Sequence, residues 1–534
     1  MTTTQWLLRV TERQNPRTRI DTRHVDGEAW TVGNDVHALI HGASYFPELL
    51  RCIRAMAAGD LLLFTDWRGD PDQRLDGPGT EISRVLCEAA ERGVIVKGLV
   101  WRSHLDRFAF SEQENRHLGE EINAAGGEVL RDMRVRPGGS HHQKFVVLRH
   151  PGRPGMDIAF VGGIDLCHSR GDDDGHGGDE QRQPMAKVYG QRPPWHDAQL
   201  AIRGPAVGDV ETVFRERWED PAPLNRNPID RLSDRLHGED RVTAGPLPQQ
   251  LPDPPPCGRH TVQLLRTYPR RRSGYPFAPD GERSIALGYQ KAARQARGLI
   301  YLEDQYLWSP AVVSCFASAL NANPELHLIA VLPSFPDQDG RWSKPPNLIG
   351  RQQAIDVLKQ AGGDRVAIYG LENRHGYPVY VHAKVCVIDD IWCCVGSGNL
   401  NRRSWTHDSE LSCAVLCADR EGSLVGHAGQ VLAGPDSFAQ GLRVKLACEH
   451  LGRASDDVAD LLDPAGAFSA FAASAVRLDQ WRSGGMKGPR PSGRLREYPA
   501  PQLGLRTKTW ATPLYRLVCD PDGRSLAKRL RRRF

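Results

Sequence analysis

Short apolar runs recur along the chain, and most of them span about four to eight residues. Two examples are residues 61–64 and 299–302, which are bounded by polar or turn-forming residues. Runs of this length are typical of strands that are buried on both faces of a sheet. Between such runs, for example over residues 82–89, apolar side chains recur with helical spacing, and Gly93 stands where a helix should end. The pattern predicts alternating strands and helices, and therefore an α/β protein.

Segments of the first half of the chain recur in the same order in the second half. The matching pairs are 60–67 with 299–308, 94–103 with 326–335, 141–148 with 381–388, 158–166 with 391–400, and 196–202 with 407–415. This repetition predicts an internal duplication. We expect two similar α/β/α halves, each with a mixed sheet that is flanked by helices.

The repeat also suggests domain boundaries. Residues 1–219 form the first half and residues 260–450 form the second. Residues 220–259 contain the sequence PLPQQLPDPPP and little periodicity, so we interpret them as a proline-rich linker. Residues 451–534 have no counterpart in the first half, and we assign them as a C-terminal extension of unknown role.

The composition limits the class of protein. A hydrophobic content of 40% and a charged content of 25% over 534 residues are ordinary for a soluble globular protein. A net charge of +4 gives no strong argument for nucleic acid or an anionic membrane as partner. No run of about 18 apolar residues is present, the start lacks the pattern of a secretory signal, and the 12 cysteines lack zinc-type spacing. We expect a cytoplasmic protein with reduced thiols, able to contact a membrane peripherally.

The second half contains the sharpest chemical motif. His382 and Lys384 are two residues apart on a predicted strand, so their side chains point the same way. Asp389 follows, and the next strand leads into a turn that contains Ser397 and Asn399. Glycines in that turn let the backbone approach an anion. The imidazole of His382, the ammonium of Lys384 and the amide of Asn399 converge on the same point. Together these groups predict a site for a phosphate.

The first half carries a less regular copy of the motif. His142 and Lys144 are present, but Arg149 occupies the aspartate position. Gly163 and Asp165 stand where Ser397 and Asn399 stand in the second copy. Asp165 can accept hydrogen bonds or orient a catalytic group, but it cannot donate as an amide does unless it is protonated.

These residues resemble the paired HKD motifs of the phospholipase D superfamily, and the resemblance covers most of residues 30–420. The segments FVGGIDL, PWHDAQLAIRGPAV, EDQY and VGSGNLNRRSW look closest to the lipid-acting members. The resemblance implies an active site at the interface of the halves. It also implies that the aspartate missing at Arg149 is mainly a structural ion-pair partner, so its loss leaves the chemistry intact.

The resemblance further implies a two-step reaction through a phosphohistidine. His142 is then the nucleophile and His382 the general acid and base, a choice that physical chemistry alone does not make. Lys144, Lys384 and Asn399 would stabilise charge on the phosphate oxygens. We expect no cofactor and no metal ion, because two lysines can neutralise the single charge of a phosphodiester.

A catalytic imidazole needs a carboxylate on its second nitrogen, and Asp197 and Glu410 are the candidates. Which carboxylate serves which histidine stays open. The candidates for substrate binding lie in the two motif turns and at the ends of the paired early strands: Gly163, Asp165, Ser397, Asp66, Trp67, Gln305 and Tyr306. The loop at residues 171–180 (GDDDGHGGDE) can be interpreted as a calcium site, but a solvated acidic loop is favoured because its acids lack regular ligand spacing.

The sequence therefore predicts a phospholipase D that hydrolyses, or transfers across, the headgroup phosphodiester of glycerophospholipids. Its partners would be a phospholipid at a membrane surface and water or a small alcohol. No nucleic acid is expected, and a monomer suffices for the site. Two alternatives remain. One is a nuclease or other nucleic-acid phosphodiesterase on the same scaffold, and the other is a catalytically decayed lipid-binding protein.

Overall fold

Mixed sheets covered by helices form the framework of the protein. The computed structural model describes residues 2–102, 112–225, 244–340, 344–417, 437–499, 503–531 and 534. The strands of the first half are β1 Thr31–Ile40, β2 Leu61–Asp66, β3 Ile95–Trp101, β4 Glu128–Asp132, β5 Phe145–Arg149, β6 Ile158–Gly162, β7 Trp195–His196 and β8 Ala198–Arg203. Its helices are α1 Thr3–Trp6, α2 Val10–Arg13, α3 Arg19–Thr22, α4 Gly42–Arg54, α5 Ile82–Glu91, α6 Glu112–Ala124 and α7 Ala206–Trp218.

The rest of the chain continues the same alternation. Its strands are β9 His260–Tyr268, β10 Glu282–Arg283, β11 Leu299–Glu303, β12 His327–Val331, β13 Val366–Glu372, β14 Pro378–Val381, β15 Val385–Ile388, β16 Trp392–Gly396, β17 Glu410–Cys417 and β18 Leu495–Glu497. Its helices are α8 Ser284–Ala293, α9 Pro310–Ala322, α10 Lys344–Gly362, α11 Arg402–Thr406, α12 Phe438–Leu451, α13 Pro464–Ser483, α14 Leu505–Leu514 and α15 Leu526–Leu530. Short 3₁₀ turns occur at Pro154–Met156, Lys187–Tyr189, Gly363–Arg365 and Ala459–Leu462, and a π-helical turn at Tyr515–Cys519.

The two large sheets have the same strand order. In the first sheet the order is β1-β8-β6-β5-β2-β3-β4, with β2, β3 and β4 parallel and the other pairs antiparallel. In the second it is β9-β17-β16-β15-β11-β12-β13, with β11, β12 and β13 parallel. The predicted α/β fold with helix-flanked mixed sheets is confirmed. The shared order is what an internal duplication would produce, and the duplication itself stays an inference from the repeat.

The two sheets share a central core. In β2, Leu61 and Leu63 face this core, while Leu62 and Phe64 face the layer under α4, α5 and α6. Strand β11 divides its side chains in the same way between the central core and the layer under α8 and α9. Both faces are buried because successive side chains point to opposite sides of a sheet. This explains why the sequence shows continuous apolar runs here instead of alternation.

The C-terminal extension is part of the second half's framework. Strand β18 pairs antiparallel with β13, and α13 contributes Ala467 and Phe471 to the central core. Among the described residues, no helix has both the length and the apolar composition that crossing a bilayer requires. Cys386, Cys393, Cys394 and Cys413 are buried free thiols, as expected for the strand cysteines.

Candidate active site

The two motif segments cross between the halves. The backbone N–H of His142, just before β5, donates to the carbonyl of Ser409 at 2.9 Å. The N–H of His382, just before β15, donates to the carbonyl of His196 at 2.8 Å. Strand β14 continues this contact by pairing in parallel with β7. Each motif histidine is therefore held against the segment of the other half that carries a candidate carboxylate.

The carboxylates consequently serve the histidines crosswise. Glu410 Oε2 lies 2.9 Å from His142 Nδ1, and Asp197 Oδ2 lies 2.6 Å from His382 Nδ1. Both carboxylates are buried, while the side chains of His142 and His382 keep 16% and 7% of their exposure. A carboxylate on Nδ1 fixes the tautomer and leaves Nε2 as the reactive nitrogen. The sequence left this pairing open, and the structure resolves it.

Gly163 and Ser397 occupy the same position in the two copies of the motif, and each contacts one of these carboxylates. A Cβ atom at position 163 would lie 2.2 Å from Asp197 Oδ1, so a glycine is needed for Asp197 to approach. The Ser397 hydroxyl donates to Glu410 Oε2 at 2.5 Å. Both were predicted to bind substrate. In the structure they position the acids that hold the histidines.

The pKa shifts of His382 and Asp197 indicate which of the two carries the proton. Burial and the neighbouring Lys384 charge lower the pKa of His382 to about 3, although Asp197 opposes this shift. Burial raises the pKa of Asp197, but the attraction of His382 and Lys384 outweighs it and brings the pKa to about 2. At neutral pH an ionised Asp197 therefore accepts the Nδ1–H of a neutral His382.

The two motif lysines share one electrostatic environment. Lys384 Nζ donates to the carbonyl of His382 and lies 3.0 Å from His382 Nδ1. Burial lowers the pKa of Lys384 to about 8; Asp197 opposes the shift and the charge of Lys144 adds to it. Lys144 Nζ donates to the carbonyl of His142 at 3.1 Å and lies 3.2 Å from Asp165 Oδ1. Lys144 and Lys384 come from the two motifs, which the crossed contacts between the histidines and their carboxylates bring together.

Two buried acids of the first half, Asp66 and Asp165, have pKa values shifted in opposite directions. Burial, and then the charge of Asp165, raise the pKa of Asp66 well above its usual range, so Asp66 is protonated. Burial acts against ionisation of Asp165, but Lys144 and Arg170 hold its pKa well below the usual range. Asp165 is therefore an anion, and it lies 3.2 Å from the Lys144 ammonium and 3.2 Å from the Arg170 guanidinium. It orients Lys144, which is the positioning role that the sequence allowed.

Asn399 occupies the place that Asp165 has in the first half. Its Oδ1 atom is buried and finds no hydrogen-bond partner within the described parts of the chain. A buried amide oxygen without a hydrogen-bond partner typically lowers the stability of the folded state by about 1–3 kcal/mol. The unpaired atom is an acceptor, so it could receive a hydrogen bond from a ligand. The predicted role of Asn399 as a donor to the phosphate oxygens stays a prediction.

Aromatic side chains flank both histidines. Trp67 lies 6.1 Å from His142 between ring centroids and stacks on Trp101. Trp195, which is not among the predicted site residues, lies 4.9 Å from His382, and the Arg170 guanidinium lies over its ring. The position of Trp195 two residues before Asp197 was the available signal.

Of the two candidates at the end of β11, Gln305 lies near the site and Tyr306 does not. Gln305 Nε2 donates to the Tyr380 hydroxyl at 2.8 Å, and the Tyr380 ring stacks beside His382. Tyr306 instead packs on Trp308 at 4.2 Å between centroids, in an apolar cluster with α10. Asp304, which is not among the predicted site residues, is the counterpart of Asp66. Its carboxylate accepts the N–H of Leu400 at 2.8 Å, as Asp66 accepts that of Leu166.

The aspartate of the second motif has a backbone role. Asp389 accepts the N–H groups of residues 297, 298 and 299 and thereby fixes the turn before β11. The resemblance implied an ion-pair partner, and the structure replaces it with these backbone hydrogen bonds. In the first half, Arg149 is buried and pairs with Asp157 at 2.8 Å and with Glu211. Neither residue touches the histidines, so the exchange leaves the reactive groups unchanged.

Comparison with known proteins identifies the family. A family model described as "Phospholipase D" matches residues 72–244, and one described as "Cardiolipin synthase, PLD-like domain" matches residues 344–422. Phospholipase D alpha 1 of Cynara cardunculus is 25% identical over 72% of this chain, and that of Vigna unguiculata is 26% identical over 71%. The chain spans 60% of the length of each of these relatives.

Among solved structures, the phosphatidylserine synthase of Haemophilus influenzae Rd KW20 aligns with a TM-score of 0.49 at 13% identity. The alignment covers 73% of this chain and 83% of the synthase. The two family models fall on the two halves, and each includes one histidine–lysine motif. This chain belongs to the phospholipase D superfamily of phosphodiesterases and related transferases.

Proposed function

We propose that the protein is a phospholipase D-type enzyme that cleaves the headgroup phosphodiester of glycerophospholipids. Water as acceptor yields phosphatidic acid, and an alcohol yields the corresponding phosphatidyl alcohol. The observation that carries the proposal is the pair of imidazoles, His142 and His382, each held at Nδ1 by a carboxylate from the other half. This arrangement presents two reactive Nε2 atoms beside two lysines.

In the first step, Nε2 of His142 attacks phosphorus and forms a P–N bond. The bond from phosphorus to the headgroup oxygen breaks, and His382 gives that oxygen a proton. Since the low pKa of His382 is caused partly by Lys384, a bound phosphate anion offsets that charge and favours the protonated imidazole. Substrate binding thus prepares the acid.

In the second step, His382 is neutral and takes a proton from water or an alcohol. The oxygen attacks phosphorus, the P–N bond breaks, and His142 regains its lone pair. Lys144, Lys384 and the amide of Asn399 face the growing negative charge on the phosphate oxygens. Asp165 holds Lys144 in place, while Glu410 and Asp197 hold the two imidazoles.

Lipid is favoured as the substrate for two reasons. The curated relatives named above are phospholipases D, and a net charge of +4 offers little for tracking a nucleic-acid backbone. A site flanked by Trp67, Trp195 and Tyr380 also suits a quaternary ammonium headgroup such as choline, because aromatic faces attract cations. Phosphatidylcholine is therefore the first substrate to test.

The C-terminal helices offer a way to reach a bilayer. Leu505, Leu517, Leu526 and Leu530 are between 72% and 82% exposed, and basic residues such as Arg506, Lys508 and Arg516 alternate with them. The segment is fixed next to the motif turn, because Arg402 Nε donates to Asp520 and Arg403 donates to the carbonyl of Val518. Exposed leucines among basic residues bind membrane surfaces, so this segment is the proposed membrane contact.

The test is to incubate the protein with phosphatidylcholine vesicles and a little ethanol, and to measure free choline and phosphatidylethanol. Both products are expected. His142→Asn and His382→Asn should each lower turnover by roughly 10⁴-fold or more. His37→Asn, on the exposed side of β1, is the matched control and should retain full activity.

The proposed histidine roles can be checked in the same assay. Quenched reactions should show the phosphatidyl group on the peptide that contains His142, and a label at His382 would exchange the two roles. If no headgroup is released from several phospholipids, the lipid proposal fails. Cleavage of single-stranded DNA under those conditions would support the nuclease alternative instead.

A further inference from the structure

A buried group of histidines lies behind the active site. His41, His176 and His196 surround Glu449, and one ligand atom from each of the four residues lies within 4.8 Å of every other. We refer to these four residues as the histidine cluster. The histidines are 0–3% exposed and the Glu449 side chain is 10% exposed. They come from the end of β1, the loop before β7, β7 itself and α12, so the cluster joins distant parts of the chain.

Hydrogen bonds from outside the cluster fix two of the ring tautomers. His176 Nδ1 lies 3.1 Å from the carbonyl of Trp195, and His196 Nε2 lies 2.7 Å from Glu303 Oε2. Both nitrogens must be N–H donors, because their partners only accept. Carboxylate or carbonyl partners on the outer nitrogen are the usual support of metal-bound histidines.

The remaining nitrogens of these rings converge on one carboxylate. His176 Nε2 lies 3.0 Å and His196 Nδ1 3.2 Å from Glu449 Oε1, and His41 Nε2 lies 3.0 Å from Glu449 Oε2. Since the outer nitrogens already donate, the inner nitrogens of His176 and His196 can approach the carboxylate oxygen only through a cation, which is either a second proton on the ring or a metal ion. Burial lowers the pKa of His196, but Glu303 and Glu449 outweigh it and raise the pKa to about 10, so this position favours positive charge. A divalent ion would take the place of these protons and be attracted by the Glu449 carboxylate. Burial acts to raise the pKa of that carboxylate, but the three histidines hold it well below its usual range.

The backbone of His41 gives an independent indication. His41 has φ 65° and ψ 164°, a region that glycine favours and that costs other residues roughly 1–3 kcal/mol. Its Nδ1 atom is also buried and has no hydrogen-bond partner in the described regions. A histidine kept in such a conformation indicates that its ring is needed at this position.

We propose that the histidine cluster binds one divalent transition-metal ion, with zinc the best match. Three imidazole nitrogens and one carboxylate oxygen are a four-ligand set of the type that zinc binds, whereas calcium and magnesium prefer oxygen ligands. The acids of the loop at 171–180 are not the ligands. Asp172, for example, accepts the N–H groups of Trp195 and Gly178. The loop contributes His176 instead.

The ion would position the catalytic centre without touching the substrate. His196 precedes Asp197, and its carbonyl accepts the N–H groups of His382 at 2.8 Å and Ala383 at 3.1 Å. Fixing His196 therefore fixes both the backbone of one catalytic histidine and its carboxylate. A surface cavity of about 660 Å³ is lined by His41 and Glu449 and gives the ion a route to the cluster.

The experiment measures metal content, independently of turnover. Protein purified without chelator, loaded with Zn²⁺ and desalted is analysed by mass spectrometry of the elements. The wild type should hold close to one zinc per chain, and His37→Gln and His142→Asn should hold the same amount. His41→Gln and His176→Gln should each retain less than about a tenth of it.

Two measurements on the wild-type protein test the proposal even if a variant fails to fold. Loading with Co²⁺ should give the visible absorption of a tetrahedral cobalt site, and stripping the metal with dipicolinate should lower the melting temperature by about 3 °C or more. Wild-type protein that keeps no zinc or cobalt after desalting would overturn the proposal. Equal zinc in His41→Gln would overturn it too, and the cluster would then be held by protons alone.

Discussion

At the scale of single residues, the crossed carboxylates are the feature most open to test. Asp197→Asn and Glu410→Gln keep size and hydrogen bonding but remove the charge that fixes each imidazole tautomer. Each should lower kcat by roughly 10²–10⁴-fold with little change in KM. Glu88→Gln, in helix α5 with a side chain that is 46% exposed, is the matched control.

Rapid-quench kinetics should separate the two variants. Glu410 holds the proposed nucleophile, so Glu410→Gln should slow mainly the formation of the phosphohistidine. Asp197 holds the proposed acid and base, and Asp197→Asn should slow both formation and breakdown. A loss below tenfold in either variant would show that the carboxylates are structural only.

Lys384 sets the expected response to alkaline pH. Its pKa is lowered to about 8 by burial and by Lys144, so the ammonium form is lost as the pH rises through that value. Hence kcat/KM should fall above about pH 8. The fall in kcat should come at higher pH, because the bound phosphate anion stabilises the ammonium. Full pH profiles on phosphatidylcholine check this.

A substitution separates this effect from titration of a histidine. In Lys384→Arg the guanidinium stays charged, so the alkaline fall should move to higher pH even though the maximum rate drops. Lys291→Arg, on α8, should leave the profile unchanged. A profile with the same alkaline limb in Lys384→Arg would assign that limb to another group.

At the scale of secondary-structure elements, Asp389 links the β15–β16 turn to the start of β11. Asp389→Ala would remove the acceptor of three backbone N–H groups and place alanine at φ 52°. We expect the free energy of unfolding to fall by roughly 2–4 kcal/mol. The kcat of the folded protein should stay within about twofold, because Asp389 does not contact the histidines.

Denaturant unfolding and initial rates at low temperature measure these two quantities. Asp356→Ala, exposed on α10, is the control and should change stability by less than about 0.5 kcal/mol. A large loss of kcat with unchanged stability would give Asp389 a direct part in the chemistry.

The C-terminal helices allow a second test at this scale. Leu517→Asp combined with Leu526→Asp should weaken co-sedimentation with phosphatidylcholine vesicles and turnover on them by about tenfold or more. Turnover of a monomeric short-chain phospholipid should be unchanged, since the site is untouched. Val25→Asp, fully exposed elsewhere, is the control. Equal loss on both substrates would mean that the change damages the fold.

At the scale of the whole molecule, what the sequence predicted and what it missed have a common physical explanation. Apolar runs such as that of β2 identify buried strands because both faces of the sheet are covered. The motif residues His142 and His382 could be found because they are close to their lysines in the chain. These features depend on local spacing.

Features that depend on the docking of the two sheets could not be predicted. Asp197 serves a histidine 185 residues away, and His41 meets Glu449 across 408 residues. Nothing in the local sequence records these distances. Tyr306 illustrates the converse, because its position at a strand end suggested the site although it packs on Trp308 instead. Which side chains meet across the two halves depends on how the sheets pack around their shared core.

The charge of the whole molecule separates lipid from nucleic acid as substrate. A protein that neutralises many backbone phosphates loses roughly 10³–10⁵-fold in affinity between 50 and 200 mM salt. Phosphatidylcholine has no net charge, and this chain carries a net charge of only +4. Turnover on phosphatidylcholine vesicles should therefore change less than about threefold over that salt range.

The same salt series on vesicles containing an anionic lipid provides the internal comparison. The basic residues around the exposed C-terminal leucines should make binding to those vesicles weaken as salt rises. Phosphatidylcholine turnover that collapses with salt would show that attraction between charges, and not apolar contact, brings the protein to its substrate. The assignment of the exposed leucines as the membrane contact would then fail, while the two-histidine chemistry would stand.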